Sequence, residues 1–369
     1  MFDLIIAANY KVNPKIWGGM DDFFFAITEE FIAKGMKVLV VLPQFKDTDA
    51  SHYEDKGIPH KVLEGEYYFK DLIEFCNEHP SRLIHTHFLP TLVRQFRGLA
   101  SSETQVITTE HMPRPYAGWS LRKTIKSKLL SILGQNSISR MIHVSKYLEN
   151  ENRLVFGNTI NEKSQIIYNG VRLRELSRTP SDSFTQQRKL KLVSTGRLVF
   201  EKGFSDLIQI VDILYKRHGD VFELNILGDG PLRQELEEKA EKYINKNIFF
   251  RGYVNNVSQW LRESDLYVHC ASQEAFAFVF LEAFEAGLPV ITYDVGGNRE
   301  AVIDGFSGFL VNKEDGLENF ADKVSFCLDN PQSLVSLGTN ARTLVESSFS
   351  LEKMVDSYMR LYTTYLSKE

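Results

Sequence analysis

The sequence predicts an α/β protein built from two doubly wound domains, each a parallel sheet with helices on both faces. At 369 residues the chain exceeds the size of one ordinary hydrophobic core. Short apolar runs alternate with helical segments, which is typical of parallel sheets. The alternation stops in a polar stretch and then starts again. We therefore predict a first domain at 1–171, a linker at 172–188, a second domain at 189–345 and a terminal helical segment at 346–369.

The first half opens in the order strand, loop, helix, strand. Leu4–Ala8 predicts a strand, Gly18 and Gly19 lie in the following loop, and Asp21–Lys34 predicts a helix. Met36–Leu42 is the next strand. Further strands are predicted at Arg82–His85, Gln105–Thr109, Met141–Val144 and Gln165–Tyr168.

The second half repeats this alternation. Strands are predicted at Leu190–Thr195, Phe222–Leu227, Ile248–Phe250, Leu266–His269 and Val290–Tyr293. Helices are predicted at Phe204–His218, Leu232–Tyr243, Val257–Glu263 and Phe278–Ala286. Apolar residues recur at helical spacing in Leu351–Leu366, which indicates an amphipathic helix.

Composition excludes several classes of protein. The net charge of −5 gives no reason to expect nucleic acid as a partner. Cys76, Cys270 and Cys327 are scattered, which argues against a disulfide framework or a zinc site and fits a reducing compartment. No signal peptide pattern and no apolar run of transmembrane length is visible. The sequence therefore predicts a cytoplasmic protein.

Two carboxylates frame the most informative segment, QEAFAFVFLEAFEAGLP. Glu274 precedes the helix predicted at Phe278–Ala286, and Glu282 lies about one turn inside it. Gly287 followed by Pro289 ends that helix. A helix N-terminus favours an anion, so two glutamates beside it are explained by a nucleotide-sugar, whose hydroxyls donate to carboxylates. A buried helix with two incidental glutamates explains the segment equally well.

Two cations flank the turn that follows the strand Leu190–Thr195. Arg197 and Lys202 suit a diphosphate at the carboxyl end of a strand, although a solvated turn is the commoner reason for such a pair. The loop GDGP at Gly228 lacks the full GxGxxG pattern, which counts against an NAD enzyme. Tyr253 and Val254 follow another strand and either contact a nucleobase or form a plain turn.

The order and spacing of several motifs resemble those of glycosyltransferase family 4. They are GRLVFEKG, ILGDGP, FFRGYV, the two-glutamate segment, VGGNREAV and GFSGFLV, together with WGGM, IHTHF, TTEHMP, HVSKYL and IIYNGV in the first half. The resemblance implies the GT-B fold, in which two Rossmann-like domains face each other across a cleft and the last helix crosses back to the first domain.

The resemblance also implies roles for single residues. Glu274 would bind the transferred sugar, Glu282 the ribose hydroxyls, and Arg197 with Lys202 the diphosphate. His111 would contact the sugar near the reacting carbon; otherwise it is a packed histidine. Backbone contacts to the donor are expected at Gly18, Gly19, Gly196, Gly228, Tyr253, Val254, Phe276, Ala277 and Phe278. No metal or cofactor is expected.

Two features depart from this pattern or lie outside it. The family usually has glycine at the positions of Ala275 and Ala277, and alanine disfavours some torsions open to glycine. We interpret His85 and His87 as lying on opposite faces of their strand, which would make a shared metal site unfavourable.

The segment 119–133 combines an apolar helical face with Arg122, Lys123, Lys126 and Lys128. We interpret it as a peripheral contact with an anionic membrane surface, at the inner face of the cell membrane. The alternative is a helix packed on its own domain with a solvated basic face.

Together these patterns predict a retaining, metal-independent glycosyltransferase. It would move a sugar from a nucleotide-diphospho-sugar to a glycan or lipid-linked acceptor in surface polysaccharide synthesis. Three alternatives stay open: a nucleotide-sugar epimerase of GT-B fold, a non-catalytic glycosyltransferase-like partner subunit, and a synthase that acts on soluble sugars.

Overall fold

The computed structural model describes residues 1–13, 18–65, 67–89, 94–99, 103–112, 120–175 and 188–367. These residues form two compact units. The first unit is Met1–Gly170 with Leu351–Glu369, and the second unit is Val171–Ser350. Residues 346–350, predicted to begin the terminal segment, belong to the second unit. Most of the predicted linker, 176–187, lies outside the described residues.

The strands and helices are short and alternate along each unit. The strands are β1 Phe2–Ala8, β2 Val38–Pro43, β3 His60–Leu63, β4 Ser81–His87, β5 Gln105–Glu110, β6 Arg140–His143, β7 Ser164–Ile166, β8 Leu190–Thr195, β9 Phe222–Leu227, β10 Ile248–Gly252, β11 Leu266–His269, β12 Val290–Tyr293 and β13 Gly308–Val311. The helices are α1 Gly19–Ala33, α2 Ser51–Asp55, α3 Tyr68–Glu78, α4 Leu121–Gly134, α5 Lys146–Phe156, α6 Phe204–His218, α7 Arg233–Lys239, α8 Val257–Glu263, α9 Phe278–Glu285, α10 Asn298–Ala301, α11 Gly316–Asp329, α12 Pro331–Ser348 and α13 Leu351–Leu366.

Both sheets have the strand order of a doubly wound fold. The described strands of the first unit follow the order β3-β2-β1-β4-β5-β6-β7, and those of the second follow β10-β9-β8-β11-β12-β13. Every pair of neighbouring strands is parallel. The strand order therefore reverses between β1 and β4 in one sheet and between β8 and β11 in the other. Ligands bind doubly wound proteins at such points, beyond the carboxyl ends of the strands.

The helix α13 packs in the first unit, although the chain reaches it only after the second unit. Its buried face consists of Leu351, Met354, Val355, Tyr358, Met359, Leu361, Tyr362 and Leu366, which confirms the predicted amphipathic pattern. The ring of Tyr362 lies 5.7 Å from that of Phe31 on α1. Among the described residues, no helix combines the length and the apolar character needed to cross a membrane.

Candidate active site

The loops that follow β8 and β11 begin side by side at the switch point of the second unit. The two strands are paired, with Leu266 opposite Leu192 and Tyr267 opposite Val193. The first loop carries Gly196, Arg197 and Lys202, and the second leads through Glu274 to α9. Parallel pairing therefore brings together residues that are about seventy positions apart in the sequence.

Glu274 accepts two charge-assisted hydrogen bonds on the same oxygen. Its Oε1 atom lies 3.0 Å from Nε2 of His269, and it also accepts from Nζ of Lys202. Burial raises the pKa of the Glu274 carboxyl, but His269 and Lys202 together outweigh burial and hold the pKa at about 2. Glu274 is thus ionised at neutral pH and acts as a hydrogen-bond acceptor.

Arg197 differs from Lys202 in its surroundings. Its side chain is exposed, and no described residue forms a hydrogen bond or ion pair with the guanidinium. The loop that carries it is fixed through its backbone: the Leu198 amide donates to the Asp229 carbonyl at 3.0 Å, and the Ser272 amide donates to that of Glu201 at 2.9 Å. A fixed backbone thus presents a cation that no described side chain neutralises.

Gly203 ends this loop in the left-handed region, with φ +68°. A Cβ atom there would lie 1.9 Å from the Cys270 carbonyl oxygen, so only glycine allows the loop after β8 to approach the chain after β11 so closely.

The N-terminus of α9 has no side-chain cap. Its N-cap residue is Ala277, and the first turn that begins at Phe278 contains no acidic residue. The amide groups of this turn therefore have no carboxylate or hydroxyl cap, as at helix termini that bind anions. Gly287 has φ +71° just after the helix, as the sequence predicted.

Tyr267 lies close to both glutamates of the predicted motif. Burial raises the pKa of its hydroxyl, and the negative charges of Glu282 and Glu274 raise it further. The hydroxyl is 2.9 Å from Oγ1 of Thr195 at the end of β8. The charges of both carboxylates therefore act on one buried hydroxyl.

A second loop that contains glycine contacts the backbone of Glu274. The Gly297 amide donates to the Glu274 carbonyl at 3.0 Å. Gly296 has φ +58°, and a Cβ atom there would lie 2.0 Å from the same carbonyl oxygen.

The other residues of the second unit that are predicted to contact a donor follow β9, β10 and β11, at the same edge of the sheet. Their surroundings differ. The Gly228 amide donates to the Gly252 carbonyl at 2.8 Å, which joins the ends of β9 and β10. Tyr253 is exposed and Val254 is half-buried after β10. Phe276 packs its ring 5.4 Å from that of Phe349, so only its backbone is available to a ligand.

In the first unit, His111 follows β5 and Gly18 lies before α1. Nε2 of His111 is 2.9 Å from Nδ1 of His87. Gly18 is the N-cap of α1, and its amide donates to Asp21 at 3.0 Å, while Gly19 is the first helical residue. The two glycines thus form the start of a helix; the predicted loop ends before them.

The interpretation that His85 and His87 point to opposite faces is wrong. Their rings lie 4.0 Å apart, with Nδ1 of His85 3.2 Å from Nε2 of His87. Residues two apart on a strand share a face. The spacing of His85 and His87 therefore predicts that both side chains lie on the same face of β4. Within the described part of the chain, no group of three or more His, Cys, Asp or Glu residues is arranged to hold a metal ion.

Two family models match the chain and together span most of it. Residues 17–175 match Glycosyltransferase Family 4, and residues 178–344 match Glycosyl transferases group 1. The chain belongs to glycosyltransferase family 4.

Relatives of known sequence or structure agree with this family. An uncharacterized glycosyltransferase of Methanocaldococcus jannaschii is 25% identical over 60% of this chain and 57% of its own length. The capsular polysaccharide biosynthesis glycosyltransferase CapM of Staphylococcus aureus is 27% identical over 47% of this chain and 46% of its own. The match thus spans about half the length of these relatives.

Anabaena HepE, crystallised with UDP and glucose, is similar in fold. Its TM-score is 0.78 at 19% identity, and the match covers 98% of this chain and 99% of HepE. The two Rossmann-like units are therefore those of a GT-B fold.

Against the usual pattern of family 4, Ala275 and Ala277 cause no backbone strain. Ala277 has φ −77°, and among the described residues other than glycine only Phe88 and Asn245 have positive φ. The concern that alanine would disfavour the required torsions is wrong, because these torsions are open to any residue. Both methyl groups are buried.

Sequence reasoning missed His269 and Tyr267 as members of this site. Both lie on β11 two residues apart, so they share the face that meets Glu274 and Thr195. Their position at the carboxyl end of the strand next to the switch point is the signal that would have found them.

Proposed function

We propose that the protein is a retaining, metal-independent glycosyltransferase that uses a nucleotide-diphospho-sugar. Its acceptor would be a glycan or a lipid-linked sugar in surface polysaccharide synthesis. The observation that carries the proposal is the switch point of the second unit. There Arg197, which no described side chain neutralises, and the uncapped start of α9 accompany a Glu274 carboxylate kept ionised by Lys202 and His269. HepE, which binds UDP and glucose, and CapM, a capsular polysaccharide enzyme, support the substrate class.

Departure of the nucleoside diphosphate is the step that this site assists. Breaking the anomeric C–O bond places negative charge on the leaving phosphate. Arg197 can bind phosphate oxygens with two parallel hydrogen bonds. Lys202 has three donors, so it can contact a phosphate while it stays bonded to Glu274. Fixed positive charge beside a leaving anion is commonly a large part of catalysis.

The two carboxylates position the donor. Glu274, ionised at neutral pH, would accept hydrogen bonds from hydroxyls of the transferred sugar, and Glu282 from those of the ribose. Because its pKa is about 2, Glu274 is a poor proton acceptor. We therefore assign it to binding and orientation, which hold the reacting atoms in place.

Retention of configuration follows if attack and departure occur on one face of the sugar. The acceptor hydroxyl oxygen forms the new bond to the anomeric carbon as the bond to the phosphate oxygen breaks. The acceptor proton passes to that phosphate oxygen, so the charges balance without a protein base.

Measured transfer and donor binding test the proposal. A panel of nucleotide-sugars is screened by thermal shift, and the best donor is assayed for transfer and hydrolysis. Lys202→Ala should lower transfer at least 100-fold, as removal of a charge-stabilising donor does. Glu274→Ala should lower it by a similar factor, because the transferred sugar and Lys202 both lose the group that orients them. Lys216→Ala on α6, which removes a lysine paired with Asp212, should match the wild type. Wild-type activity in either site variant would refute the assignment.

Metal independence and reaction type have separate readouts. EDTA should leave transfer unchanged; activity restored only by a divalent ion would contradict the assignment of the leaving charge to Arg197 and Lys202. NMR of the product should show the retained anomer. An altered sugar in donor incubated without acceptor would indicate an epimerase, and complete absence of donor turnover a non-catalytic subunit.

The helix α4 supports a membrane contact as part of the proposal. It exposes six large apolar residues: Leu121, Ile125, Leu129, Leu130, Ile132 and Leu133. Arg122 and Lys126 are exposed beside them. Such a surface suits anionic headgroups over an apolar layer, and we propose that it docks at the inner face of the cell membrane. Trp119, in the predicted segment, lies outside the described residues.

Vesicle sedimentation tests this contact. The protein should bind phosphatidylglycerol vesicles more strongly than phosphatidylcholine vesicles. Ile125→Ser combined with Leu129→Ser should weaken binding at least tenfold, since each side chain contributes about 1.5 kcal/mol or more when buried. Leu154→Ser on α5, where the leucine is 63% exposed, is the control. Equal binding by all three proteins would contradict the proposal.

A further inference from the structure

An open cavity of about 260 Å³ lies in the first unit, between α13 and the last two strands of the sheet, β6 and β7. Strand pairing assembles part of its lining. Gln165 is opposite Ile142, and Arg140 lies two residues before Ile142, so Arg140 and Gln165 share one face of the sheet. The helix contributes four residues whose spacing of three and four places them on one side of α13: Ser357, Arg360, Leu361 and Thr364.

The lining of this cavity carries two positive charges and no negative charge. Arg140 and Arg360 belong to it, and no aspartate or glutamate does. The bonds that the two guanidiniums form are to neutral oxygens: Nη1 of Arg140 donates to the Glu162 carbonyl at 3.1 Å, and Nη2 of Arg360 donates to the Ser357 hydroxyl at 3.3 Å. Within the described part of the chain, no carboxylate therefore neutralises either guanidinium.

The charge of Arg140 is partly withdrawn from water. The side chain is half-buried, and its Nε atom is buried without a hydrogen-bond partner among the described residues. This charge acts on its surroundings: burial lowers the pKa of the Lys163 ammonium, and the positive charge of Arg140 lowers it further. A half-buried charge without a counter-charge costs free energy. An anion in the cavity would offset that cost.

Gln165 adds a neutral donor to the two guanidiniums. Its side chain is half-buried and forms no hydrogen bond with a described residue, so both N–H groups of the amide are available. Leu361 and Ile167 are buried at the cavity and provide an apolar wall. The cavity thus combines three donor groups with one apolar surface.

The two hydroxyls of the lining can only accept hydrogen bonds from a ligand. Oγ of Ser357 donates to the Lys353 carbonyl at 2.8 Å, and Oγ1 of Thr364 donates to the Arg360 carbonyl at 3.1 Å. Each hydroxyl proton is therefore used within α13. The remaining lone pairs suit a ligand that itself carries hydroxyl groups.

The arrangement of donors and the size of the cavity narrow the ligand class. Planar guanidinium groups match the oxygens of a phosphate with two parallel hydrogen bonds. Sites for drug-sized ligands measure about 300–1,000 Å³, and this cavity is smaller. It therefore suits one phosphate with a small group attached.

We propose that this cavity binds a phosphate monoester, whose phosphate oxygens accept from Arg140, Arg360 and Gln165. The attached group is small and carries hydroxyls that donate to Ser357 or Thr364. None of these residues is among those assigned to the nucleotide-sugar, so this inference does not rest on the proposed function.

Nitrogen NMR of the arginine side chains tests binding without any nucleotide-sugar. The full chain carries isotope-labelled arginine, and Arg140→Lys and Arg360→Lys identify the two Nε signals. Glycerol 3-phosphate is added at constant ionic strength, with sodium chloride as the reference salt. Both signals should shift along the same saturable curve, because one ligand contacts both guanidiniums. Shifts that do not saturate, or that chloride reproduces, would overturn the proposal.

Variants of the lining test which groups hold the phosphate. Arg360→Gln should weaken binding at least tenfold, measured at the Arg140 signal, since a charge-assisted hydrogen bond is lost. Gln165→Leu should weaken it about fivefold, as loss of one neutral hydrogen bond does. Arg153→Gln is the matched control: it removes the same charge from an arginine that is paired with Glu149, and its affinity should equal that of the wild type. Wild-type affinity in Arg360→Gln would refute the assignment. If a variant does not fold, the titration of the wild type still decides whether the cavity binds phosphate.

Two ligands with the same phosphate group distinguish a soluble ester from a lipid headgroup. Glycerol 3-phosphate is compared with a short-chain phosphatidic acid below its micellar concentration. Equal affinities would assign the cavity to a soluble ester. Binding of the lipid at least tenfold tighter would assign it to a headgroup, with an acyl chain against Leu361 and Ile167. Binding of neither ligand would overturn the proposal.

Discussion

Glu285 is a buried carboxylate on α9, only three residues from Glu282. Its Oε1 atom accepts from the Arg174 amide at 3.0 Å and lies 3.4 Å from Nη1 of Arg342 and 3.7 Å from Nη2 of Arg262. The carboxylate thus ties α9 to α12, to α8 and to the start of the second unit. Removing one member of a buried charged cluster leaves the others uncompensated.

We expect Glu285→Gln to lower the free energy of unfolding by about 3 kcal/mol. The amide keeps an acceptor for the Arg174 backbone but removes the charge that faces the arginines. Urea denaturation measures the change. Glu346→Gln is the control, because Glu346 pairs with the same Arg342 at the protein surface and should cost less than about 1 kcal/mol. Equal costs would show that burial of the cluster has no energetic consequence.

Asp21 is a buried carboxyl at the start of α1. Burial raises its pKa to about 6, although hydrogen bonds from the Gly18 amide and the Tyr10 and Tyr53 hydroxyls act in the opposite direction. The folded protein therefore holds this proton more tightly than the unfolded chain, whose value is 3.8. The stabilisation is complete below about pH 4 and is lost as the pH rises through 6.

Asp21→Asn should remove this pH dependence. Between pH 4 and 6.5 the stability of the wild type relative to the variant should fall by about 3 kcal/mol, which is roughly two pKa units at 1.36 kcal/mol each. Urea midpoints measured across that range give the slope. Asp55→Asn, which removes an exposed carboxylate on α2, should keep the wild-type slope. Parallel slopes in wild type and Asp21→Asn would contradict the expectation.

At the scale of elements, the site depends on loops that approach one another more closely than side chains allow. Gly203, Gly228 and Gly296 each face a backbone carbonyl at a distance that excludes a Cβ atom. Each of them also has a positive φ. Two independent features therefore favour glycine at these positions: the positive φ, and the lack of space for a Cβ atom.

Gly296→Ala and Gly305→Ala separate the two requirements. Both glycines have positive φ, but nothing lies within 4 Å of a Cβ atom at Gly305. Gly305→Ala should cost about 1–2 kcal/mol of stability and keep transfer. Gly296→Ala should displace Glu274 and lower transfer on the order of 100-fold, the effect of a misplacement of about 1 Å. Thermal melting and transfer assays measure both; equal activities would show that contact with Glu274 is unimportant.

Apolar runs predicted the central strands well, because strands buried on both faces are continuous in sequence. Leu190–Thr195, Phe222–Leu227, Leu266–His269 and Val290–Tyr293 were predicted with their exact bounds. The edge strand His60–Leu63 was missed, since it is short and half polar. The predicted helix Leu232–Tyr243 ends earlier, at Lys239, where the chain enters turns.

The candidate site could be predicted only in part. Glu274, Arg197 and Lys202 were found by resemblance and lie at the switch point. The bond between Lys202 and Glu274 could not be found, because it joins residues 72 positions apart and depends on strand pairing. The bond between His85 and Tyr362 spans 277 positions and left no local pattern.

At the scale of the whole molecule, the second unit is one continuous insertion with adjacent ends. The Val171 amide donates to the Phe349 carbonyl at 2.9 Å, and Val171 is bridged to Ser350. The unit has its own core, formed around β8, β9, α6 and α11. The first unit, in contrast, is completed by two separate stretches of chain.

The fragment 171–350 should therefore fold on its own, whereas 1–170 should not reach the stability of the whole first unit. Without α13, His85 loses the Tyr362 hydroxyl and Thr109 loses that of Tyr358. Joining 1–170 to 351–369 through a short Gly-Ser linker should restore the stability of 1–170. Circular dichroism during thermal melting measures all three. A 1–170 fragment as stable as the joined one would contradict this expectation.

The return of α13 to the first unit sets an order on biosynthesis. A ribosome delivers the whole of the second unit before it delivers Tyr358 and Tyr362, an interval of roughly ten seconds or more at usual elongation rates. The nascent first unit must pass that time without the side chains of α13 that contact His85 and Phe31, while the later-made unit can already fold. We expect the amino-terminal half to be the part that chaperones shield, and the unit translated second to mature first.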